Sequence, residues 1–408
     1  MTYGVRGIRH ELHRQLWQRL PRSWRREGLF RVTALLAQRP TPRARPTAPV
    51  IVAGALRTAS GLGESARLCH DALKVSGLPV FGIDLTAGLM QPLDTSDFGF
   101  ADGGTLEGPA TLIVHVNSPL VPLALWRLGR VARNKYVIGY WAWELPDVPP
   151  DWRHGIPFVH EIWVPSAFTA DAVRQIAGDR PVRVVPHPVA LRGPAAGPRV
   201  PRPDRPFTAL LIFNMASSFA RKNPLAAINA FRKAFGDDVS ARLIVKTSNG
   251  RQFSTGISSI KEAIGTAHNI VLIDRTMSAG EIEALYHGSD IVMSLHRSEG
   301  FGLTLAEAML RGLPVVATNW SGNVDFVNAE NGIPIPYRLI AAEDPQGTYH
   351  HPGMKWADAD VEAAAEALRR LRREPELART LGEAGAAYAA RAWSAQCYAE
   401  SVRRHLGL

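Results

Sequence analysis

Two glutamates, Glu299 and Glu307, lie eight residues apart on either side of a glycine-rich turn. Residues 290–295 before the turn are mostly apolar and predict a strand, and residues 303–310 after it are good helix formers. Such a strand–turn–helix junction points free backbone N–H groups and the positive end of the helix dipole at one place, where a phosphate binds well. The residues whose N–H groups we expect to hold the anion are Gly300, Phe301, Gly302, Leu303 and Thr304.

The two carboxylates would repel a phosphate unless they bind hydroxyl groups instead. An ionised carboxylate has two acceptor oxygens and can accept hydrogen bonds from both hydroxyls of a vicinal diol. A diphosphate with a sugar on each side satisfies the whole pattern: Glu299 binds the transferred sugar, and Glu307 binds the ribose of a nucleoside diphosphate sugar. The alternative is a solvated or helix-capping pair of glutamates. A glycosidase pair is not favoured, because the phosphate-binding turn separates the carboxylates and basic residues accompany them.

Residues 294–326 resemble the signature of glycosyltransferase family 4. The resemblance is carried by Glu-x7-Glu with Gly-Phe-Gly inside it, and by residues 312–318, which predict a turn into a buried strand. It extends over residues 50–405 with variable strength. It implies a retaining, nucleotide-sugar-dependent enzyme with the GT-B fold, in which two doubly wound, Rossmann-like α/β domains face each other across a cleft.

Lys222 and Arg221 lie just before a predicted helix. When a nucleoside diphosphate leaves, negative charge builds on its phosphate oxygens, and fixed cations stabilise that transition state more than the ground state. The resemblance assigns this task to Lys222 and implies a partner arginine about five or six residues earlier, where this chain has Ala216 and Ser217. We therefore expect Arg221 to be the second cation, with Lys246 in reserve. Because these groups and a helix terminus can neutralise the phosphates, neither a metal ion nor another cofactor is expected.

Two further loops are expected to contact the donor. Gly61 and Gly63 follow the predicted strand at residues 50–54 and resemble the glycine-rich loop that faces the diphosphate from the other domain, where glycine allows a close backbone approach. Arg275 and Met277 follow another predicted strand. By resemblance, this second loop holds the nucleobase through backbone atoms, so the side chains do not identify the base.

The acceptor is expected to bind to the first domain. His115 and Asn117 end one predicted strand, and Trp141, Trp143 and Glu144 end the next. Aromatic faces beside a carboxylate suit a sugar acceptor. The alternatives are aromatic packing for the two tryptophans and a structural role for the histidine.

Strand and helix patterns alternate twice along the chain, which predicts two doubly wound parallel sheets. The predicted strands are residues 50–54, 79–81, 111–116, 136–140, 161–165 and 182–185, followed by 207–213, 242–246, 270–273, 291–295 and 315–318. Residues 361–391 predict a long helical stretch, and residues 394–408 predict a last helix that, by resemblance, packs back on the first domain. The expected division is 1–48 for a basic arm, 49–192 for the acceptor-side domain, 193–206 for a linker, 207–392 for the nucleotide-sugar domain and 393–408 for the returning helix.

The basic arm carries most of the net charge of +10, because residues 1–48 hold eleven arginines, two glutamates and no lysine. Two helices are predicted, the second beginning near Pro21, followed by an extended Pro-rich stretch at residues 39–49. An Arg-rich amphipathic helix with tryptophans is typical of binding to an anionic membrane surface. The alternative is packing on the body or on a partner subunit. Nucleic acid is not an expected partner, because no recognition fold accompanies the charge.

The bulk properties predict a cytoplasmic protein. Binding of the arm to an anionic surface would place it at the inner face of the membrane. A length of 408 residues with 46% apolar residues is enough for two cores. The two cysteines, Cys69 and Cys397, are far apart and do not suggest a disulfide framework. Neither a transmembrane run nor a secretory signal core is predicted.

The sequence therefore predicts a hexosyltransferase that moves a sugar from a nucleoside diphosphate to a glycan, lipid-linked or other hydroxyl acceptor, and the resemblance implies that transfer is retaining. Assembly of a bacterial polysaccharide or glycoconjugate is the expected setting. One alternative is a non-catalytic scaffold that binds sugar nucleotides. Another is a different GT-B enzyme, such as a sugar nucleotide epimerase or a phosphorylase, although no cofactor lysine site for a phosphorylase is apparent.

Overall fold

The computed structural model describes residues 22–75, 77–93, 98–190 and 204–408, without the side chains of residues 22–26. These residues form two parallel six-stranded sheets and one antiparallel hairpin. We call the first sheet with its helices the first domain and the second sheet with its helices the second domain. None of the helices in these ranges combines the length and the apolar character needed to cross a bilayer. The predicted helix before Pro21 and most of the predicted linker, residues 191–203, lie outside the described residues.

The first sheet has the strand order β2-β1-β3-β4-β5-β6. Alternating residues of its central strands point to opposite faces, and both faces are covered by apolar side chains, as a parallel sheet requires. Its strands are β1 Val50–Gly54, β2 Val80–Asp84, β3 Ala110–His115, β4 Lys135–Tyr140, β5 Glu161–Val164 and β6 Val182–Val184. Its helices are α1 Arg22–Leu36, α2 Gly61–Val75, α3 Val121–Leu128 and α4 Ala167–Ala177.

The second sheet has the strand order β12-β11-β10-β7-β8-β9. Its strands are β7 Phe207–Ile212, β8 Ala241–Thr247, β9 Ile270–Asp274, β10 Ile291–Ser294, β11 Val315–Thr318 and β12 Ile333–Ile335. Its helices are α5 Phe219–Lys222, α6 Pro224–Phe235, α7 Ser254–Ile264, α8 Ala279–His287 and α9 Leu303–Leu310. The predicted pair of doubly wound, Rossmann-like domains is confirmed, and β12 is the one strand of these two sheets that was not predicted.

The hairpin of β13 Tyr337–Ala341 and β14 Lys355–Ala359 was not predicted either. It interrupts the alternation of strands and helices after β12. The connection between its strands, residues 342–354, packs into the core of the first domain through Ala342 and Tyr349. The hairpin therefore joins the two domains.

The predicted helical stretch over residues 361–391 is divided into two helices. Helix α10 is Val361–Arg373, and α11 begins again at Pro375 and runs to Trp393. A proline lacks the N–H that would continue a helix but fits its first turn, so Pro375 ends one helix and begins the next. The last helix, α12 Ala395–Leu406, packs on α2, with Tyr398 and Val402 in the same apolar cluster as Leu73.

The described part of the arm packs on the first domain, which was the alternative to membrane contact. Phe30 and Thr33 of α1 are buried, and the Pro-rich stretch follows the surface, where Thr47 exchanges two hydrogen bonds with Thr111. The opposite face of α1 is apolar and exposed, with Leu35 86% exposed beside Leu36 and Val32.

Candidate active site

The carboxyl ends of the two sheets face each other. Gly300, which follows β10, lies against the backbone of Trp143, which follows β4. Ser166, which follows β5, donates a hydrogen bond of 2.6 Å to the carbonyl oxygen of Gly300. In doubly wound sheets these ends form the ligand crevice, so the junction between the domains is the candidate site.

Lys222 and Glu299 are in direct contact at this junction. The ammonium of Lys222 donates a hydrogen bond to Oε1 of Glu299, and Nη1 of Arg221 lies 3.2 Å from Oε2. All three side chains are largely enclosed, with exposed fractions of 16%, 11% and 3% for Lys222, Glu299 and Arg221. The structure thus brings together the three residues that the sequence predicts to be catalytic.

The short helix α5 holds Lys222 through unusual backbone angles at both of its ends. Ser218 caps its start with φ +68°, and its hydroxyl accepts a hydrogen bond from the N–H of Arg221. Asn223 ends it in the left-handed region with φ +48°, and its side chain donates to the carbonyl oxygen of Leu295 at the end of β10. The latter bond ties the cation loop to the strand that leads to Glu299.

Arg221 does not point its donors freely into the cleft. Its Nη1 donates to the carbonyl oxygen of Ser298 at 2.7 Å, and its Nε and Nη2 both donate to that of Ser217 at 3.2 Å and 3.0 Å. The guanidinium therefore fixes the backbone before Glu299 and places its charge beside that carboxylate. This position differs from the expected one of a second cation with open donors for the phosphates.

The electrostatics of the cluster keep Glu299 ionised. Burial alone would raise the pKa of its carboxyl, but the adjacent charges of Lys222 and Arg221 outweigh this effect and lower the pKa to about 2. At neutral pH Glu299 is therefore an acceptor only.

The glycine-rich turn has the geometry expected for a helix start that binds an anion. Gly302 has φ +101°, a conformation that favours glycine, and it directly precedes α9, in which Leu303 and Thr304 are half-buried. The side chain of Phe301 packs between Phe326 and Trp393 in the core, so only its backbone is available to a ligand.

Glu307 lies one helical turn further along α9 and is half-buried. Its Oε2 accepts a hydrogen bond of 2.8 Å from the hydroxyl of Tyr286, and its carbonyl oxygen accepts one from Arg311. The carboxylate is thus oriented from the side of α8.

Lys246 is 94% buried at the end of β8, where its register neighbours are Ile212 and Ile273. Within the described ranges, no hydrogen bond or ion pair reaches its ammonium. Burial and the nearby charge of Arg275 lower its pKa. Arg275 itself is exposed and bonded to Glu281 at 2.6 Å.

The structure places the other residues that were predicted to contact the donor, Gly61, Gly63 and Met277, in different surroundings. A Cβ at Gly63 would come within 2.5 Å of the carbonyl oxygen of Thr58, so this glycine is required by the close packing of the start of α2 on the preceding loop. Gly61 is exposed, and a Cβ there would meet nothing within 4 Å. Met277 is half-buried in the loop after β9.

The predicted acceptor residues divide into packing and cleft residues. Trp141 is fully buried and packs edge-on against Trp152, and Trp143 is buried against the same ring. The prediction that a sugar acceptor stacks on Trp141 is therefore wrong, because the segment that contains Trp152 covers the ring of Trp141. Asn117 accepts the N–H of Ala142 at 2.9 Å and orders this loop.

His115 is buried against Tyr140, with the two rings stacked at 4.5 Å, and its Nδ1 lies 2.9 Å from the hydroxyl of Ser65. Burial lowers its pKa to about 3, so it is neutral at physiological pH. Glu144 is half-buried and accepts a hydrogen bond from Tyr349.

Sequence reasoning missed Tyr349 and His187. The ring of His187 lies edge-on to Phe301 of the turn at 5.0 Å, and its position between two prolines was a signal for an ordered segment. Tyr349 had no such signal, because residues 342–354 have no periodic pattern. In the part of the chain that the structure describes, no three His, Cys, Asp or Glu side chains are grouped so that they could hold a metal ion.

Comparison with known proteins identifies similar sequences. A family model described as "Family 4 Glycosyltransferase in conflict systems" matches residues 166–396, more than half of the chain. The lipopolysaccharide core biosynthesis mannosyltransferase LpsB of Rhizobium meliloti is 38% identical over 93 residues, which are 21% of this chain and 24% of that protein. Trehalose synthase of Pyrococcus horikoshii is 31% identical over 96 residues, 23% of this chain and 22% of that protein. The chain thus matches about a quarter of the length of these curated relatives.

Solved structures share the two-domain architecture. Sucrose-phosphate synthase from Thermosynechococcus elongatus has a TM-score of 0.63 at 14% identity, covering 90% of this chain and 98% of that protein. A glycosyltransferase from Rickettsia africae has a TM-score of 0.61 at 14% identity, with coverages of 88% and 97%. HepE from Anabaena, solved in complex with UDP and glucose, has a TM-score of 0.58 at 14% identity, with coverages of 88% and 99%. These similarities show that the GT-B fold is shared.

Proposed function

Because the chain belongs to the family 4 glycosyltransferases, we propose that it transfers a sugar, with retention, from a nucleoside diphosphate to a hydroxyl acceptor. The observation that carries this proposal is the contact of Lys222 and Glu299 beside the start of α9. This contact places a cation and a hydroxyl-binding carboxylate next to free helix N–H groups, which is the combination that a sugar diphosphate requires.

The donor would lie along the carboxyl end of the second sheet. The N–H groups at Gly302 to Thr304 and the ammonium of Lys222 bind the diphosphate, and Glu299 accepts hydroxyls of the transferred sugar. Glu307 accepts the ribose hydroxyls, and the loop of Arg275 and Met277 holds the base. The orientation of Glu307 by Tyr286 and the order of the strands support this arrangement.

The reaction would break the bond between the anomeric carbon and the phosphate oxygen while the acceptor oxygen bonds to the same face of that carbon. A phosphate oxygen takes the acceptor proton, so no protein base is needed. Lys222 neutralises the charge that develops on the leaving phosphate. His115 is buried and neutral, which supports a positioning role for it rather than a cationic one.

The acceptor would be a glycan or lipid-linked hydroxyl compound in the assembly of a bacterial polysaccharide or glycoconjugate. It would approach Glu144 and Asn117 in the first domain. Neither a metal ion nor another cofactor takes part in this proposal, because Lys222 and the start of α9 supply the positive charge. Transfer that persists in excess EDTA is the expected result.

The test begins with a thermal-shift screen against UDP-, GDP-, ADP- and dTDP-sugars, because a ligand that binds only the folded state raises the unfolding temperature. The best donor is then incubated with candidate acceptors, and NMR determines the anomeric configuration of the product. Lys222→Ala should lower kcat about 100- to 1000-fold. Lys233→Ala, an exposed lysine on α6, is the matched control.

Three outcomes would contradict the proposal. Binding without turnover of any donor would favour the scaffold alternative, and an epimerised nucleotide sugar would favour an epimerase. Transfer at the wild-type rate by Lys222→Ala would exclude a catalytic role for Lys222.

We also propose that the arm binds an anionic membrane surface. Its described part is docked on the first domain through Phe30, and the outer face of α1 exposes Val32, Leu35 and Leu36. The exposed arginines of this stretch are Arg31, Arg39, Arg43 and Arg45. Apolar side chains with flanking arginines support insertion at a charged interface.

A further inference from the structure

Tyr349, on the connection between β13 and β14, contacts both halves of the cleft. Its hydroxyl donates a hydrogen bond of 2.8 Å to Oε2 of Glu144, in the first domain. Its ring lies 5.3 Å from the guanidinium carbon of Arg221 and 5.3 Å from the ring of Trp143. With 6% of its surface exposed, this tyrosine is enclosed by groups of both domains.

The rest of the same connection holds the cation loop. The carboxylate of Asp344 accepts the backbone N–H groups of Thr348 and Tyr349 and also the hydroxyl of Ser218, the cap of α5. The side-chain oxygen of Gln346 accepts the N–H of Phe219 at 2.5 Å. The segment that presents Tyr349 is thus bonded to the helix that carries Lys222.

The hairpin also contacts the loop that carries Glu299. The N–H of Ala357 in β14 donates to the carbonyl oxygen of Arg297 at 2.9 Å, and the guanidinium of Arg297 lies over the ring of Trp356. Both catalytic loops of the second domain are therefore attached to the hairpin.

The groups around Tyr349 form a continuous line from Glu144 to Glu299. Burial raises the pKa of the Tyr349 phenol well above its ordinary value; the charge of Arg221 opposes this rise and the charges of Glu144 and Glu299 add to it, so the hydroxyl stays a donor. A hydrogen bond to a carboxylate is stronger than one between neutral groups, and a cation over an aromatic face is attracted to it. Tyr349 therefore binds Glu144 through its hydroxyl and Arg221 through the face of its ring.

We propose that Tyr349 is a positioning residue for transfer, which holds Arg221 and Glu299 in their working geometry by anchoring them to Glu144 in the opposite domain. Closure of the cleft and placement of Glu299 would then occur together, because Tyr349 contacts both Glu144 and Arg221, and Arg221 holds Glu299. This inference rests on the proposed function for its kinetic consequences, whereas the anchoring itself does not depend on any substrate.

The kinetic test compares Tyr349→Phe with Tyr337→Phe, a tyrosine on the same hairpin that packs on Trp320. Tyr349→Phe keeps the ring over Arg221 and loses only the bond to Glu144. Its kcat should fall about tenfold, the size expected for a lost hydrogen bond to a charged group, with the donor KM within about twofold of wild type.

The second measurement is hydrogen exchange, which needs no substrate. Tyr349→Ala should speed the exchange of backbone amides at residues 215–222 and 142–146, while Tyr337→Phe leaves both segments as in wild type. Unchanged exchange in Tyr349→Ala, or equal kcat in Tyr349→Phe and Tyr337→Phe, would overturn the inference. A wild-type protein that transfers no sugar would instead count against the proposed function, and the exchange result would still decide whether Tyr349 anchors the loops.

Discussion

Lys222 donates a hydrogen bond to Glu299 across 77 residues of sequence, and this contact is the centre of the candidate site. Lys222 follows β7 and Glu299 follows β10, which are neighbouring strands of the second sheet. Parallel strands place their carboxyl ends at the same edge, so the segments that carry the two side chains meet there. Arg221 supports the contact from behind, through the carbonyl oxygen of Ser298 and the second oxygen of Glu299.

We expect Glu299 to make the stability of the protein depend on pH on the acid side. Its folded-state pKa is lowered from the ordinary 4.5 to about 2. A carboxyl with a lowered pKa contributes stability that is complete above its unfolded-state pKa and is lost as the pH falls towards the folded-state value. The free energy of unfolding, measured by urea titration, should therefore decline more steeply from pH 4.5 to pH 2 in wild type than in Glu299→Gln.

The control for this comparison is Glu343→Gln, because Glu343 is an exposed carboxylate on the hairpin. It should leave the acid-side slope unchanged. At neutral pH, Glu299→Gln should lower the free energy of unfolding by about 3–5 kcal/mol, since it leaves Lys222 and Arg221 enclosed without their counter-ion. Parallel pH curves for wild type and Glu299→Gln would show that the carboxylate is not held by the two cations.

We expect Lys246→Met to stabilise the protein and weaken its binding of nucleotides. Lys246 is largely buried at the end of β8 with no bonded partner among the described residues, and burial disfavours its charged form, a cost that an apolar side chain of similar length avoids. A buried lysine with a lowered pKa at the ligand-binding edge of a sheet is typical of a functional site. Calorimetry should show at least a tenfold weaker Kd for the preferred nucleoside diphosphate, and thermal melting should show a higher Tm.

Lys261→Met is the matched control, because Lys261 is an exposed lysine on α7 of the same domain. It should leave both the Kd and the Tm close to wild type. Titrations with the nucleoside, the monophosphate and the diphosphate separate the sources of the loss. A loss only with the diphosphate indicates a phosphate contact, and a loss with all three indicates a contact to the base or the ribose. Wild-type affinity of Lys246→Met for all three would exclude Lys246 from the donor site.

We expect Glu307→Gln to weaken nucleotide binding through the ribose. The carboxylate of Glu307 is oriented by Tyr286 and can accept two ribose hydroxyls, whereas an amide has only one acceptor oxygen. The Kd for the preferred nucleoside diphosphate should rise about tenfold, the size expected when hydrogen bonds to a charged group are lost. Its 2′,3′-dideoxy analogue should bind wild type and Glu307→Gln almost equally. If the variant discriminates between the two ligands as strongly as wild type does, Glu307 does not bind the ribose.

Local patterns predicted the elements that carry Glu299, and tertiary contacts decided the rest of the candidate site. The strand, turn and helix around Glu299 were readable because each has a distinct period and the glycines mark the turn between them. The contact of Lys222 with Glu299 was not predicted, because it depends on β7 and β10 being neighbours in the sheet. The hairpin with Tyr349 was not predictable, because its connection has no periodicity and is held by contacts to both domains. The burial of Trp141 was also unpredictable, since an aromatic residue at a strand end suits both a core and a sugar site.

We expect the exposed apolar face of α1 to anchor the protein to anionic vesicles. Leu35 and Leu36 project away from the first domain, and exposed arginines such as Arg31 and Arg39 flank them. Arginines near an anionic surface contribute about 1 kcal/mol each, and this attraction is screened by salt.

In sedimentation assays, the full chain should bind phosphatidylcholine vesicles only when they contain phosphatidylglycerol, and high salt should release it. Leu35→Ser/Leu36→Ser should bind more weakly, whereas Val239→Ser, an exposed valine in the second domain, should bind as wild type does. Undiminished binding after removal of residues 1–48 would place the membrane contact elsewhere on the protein.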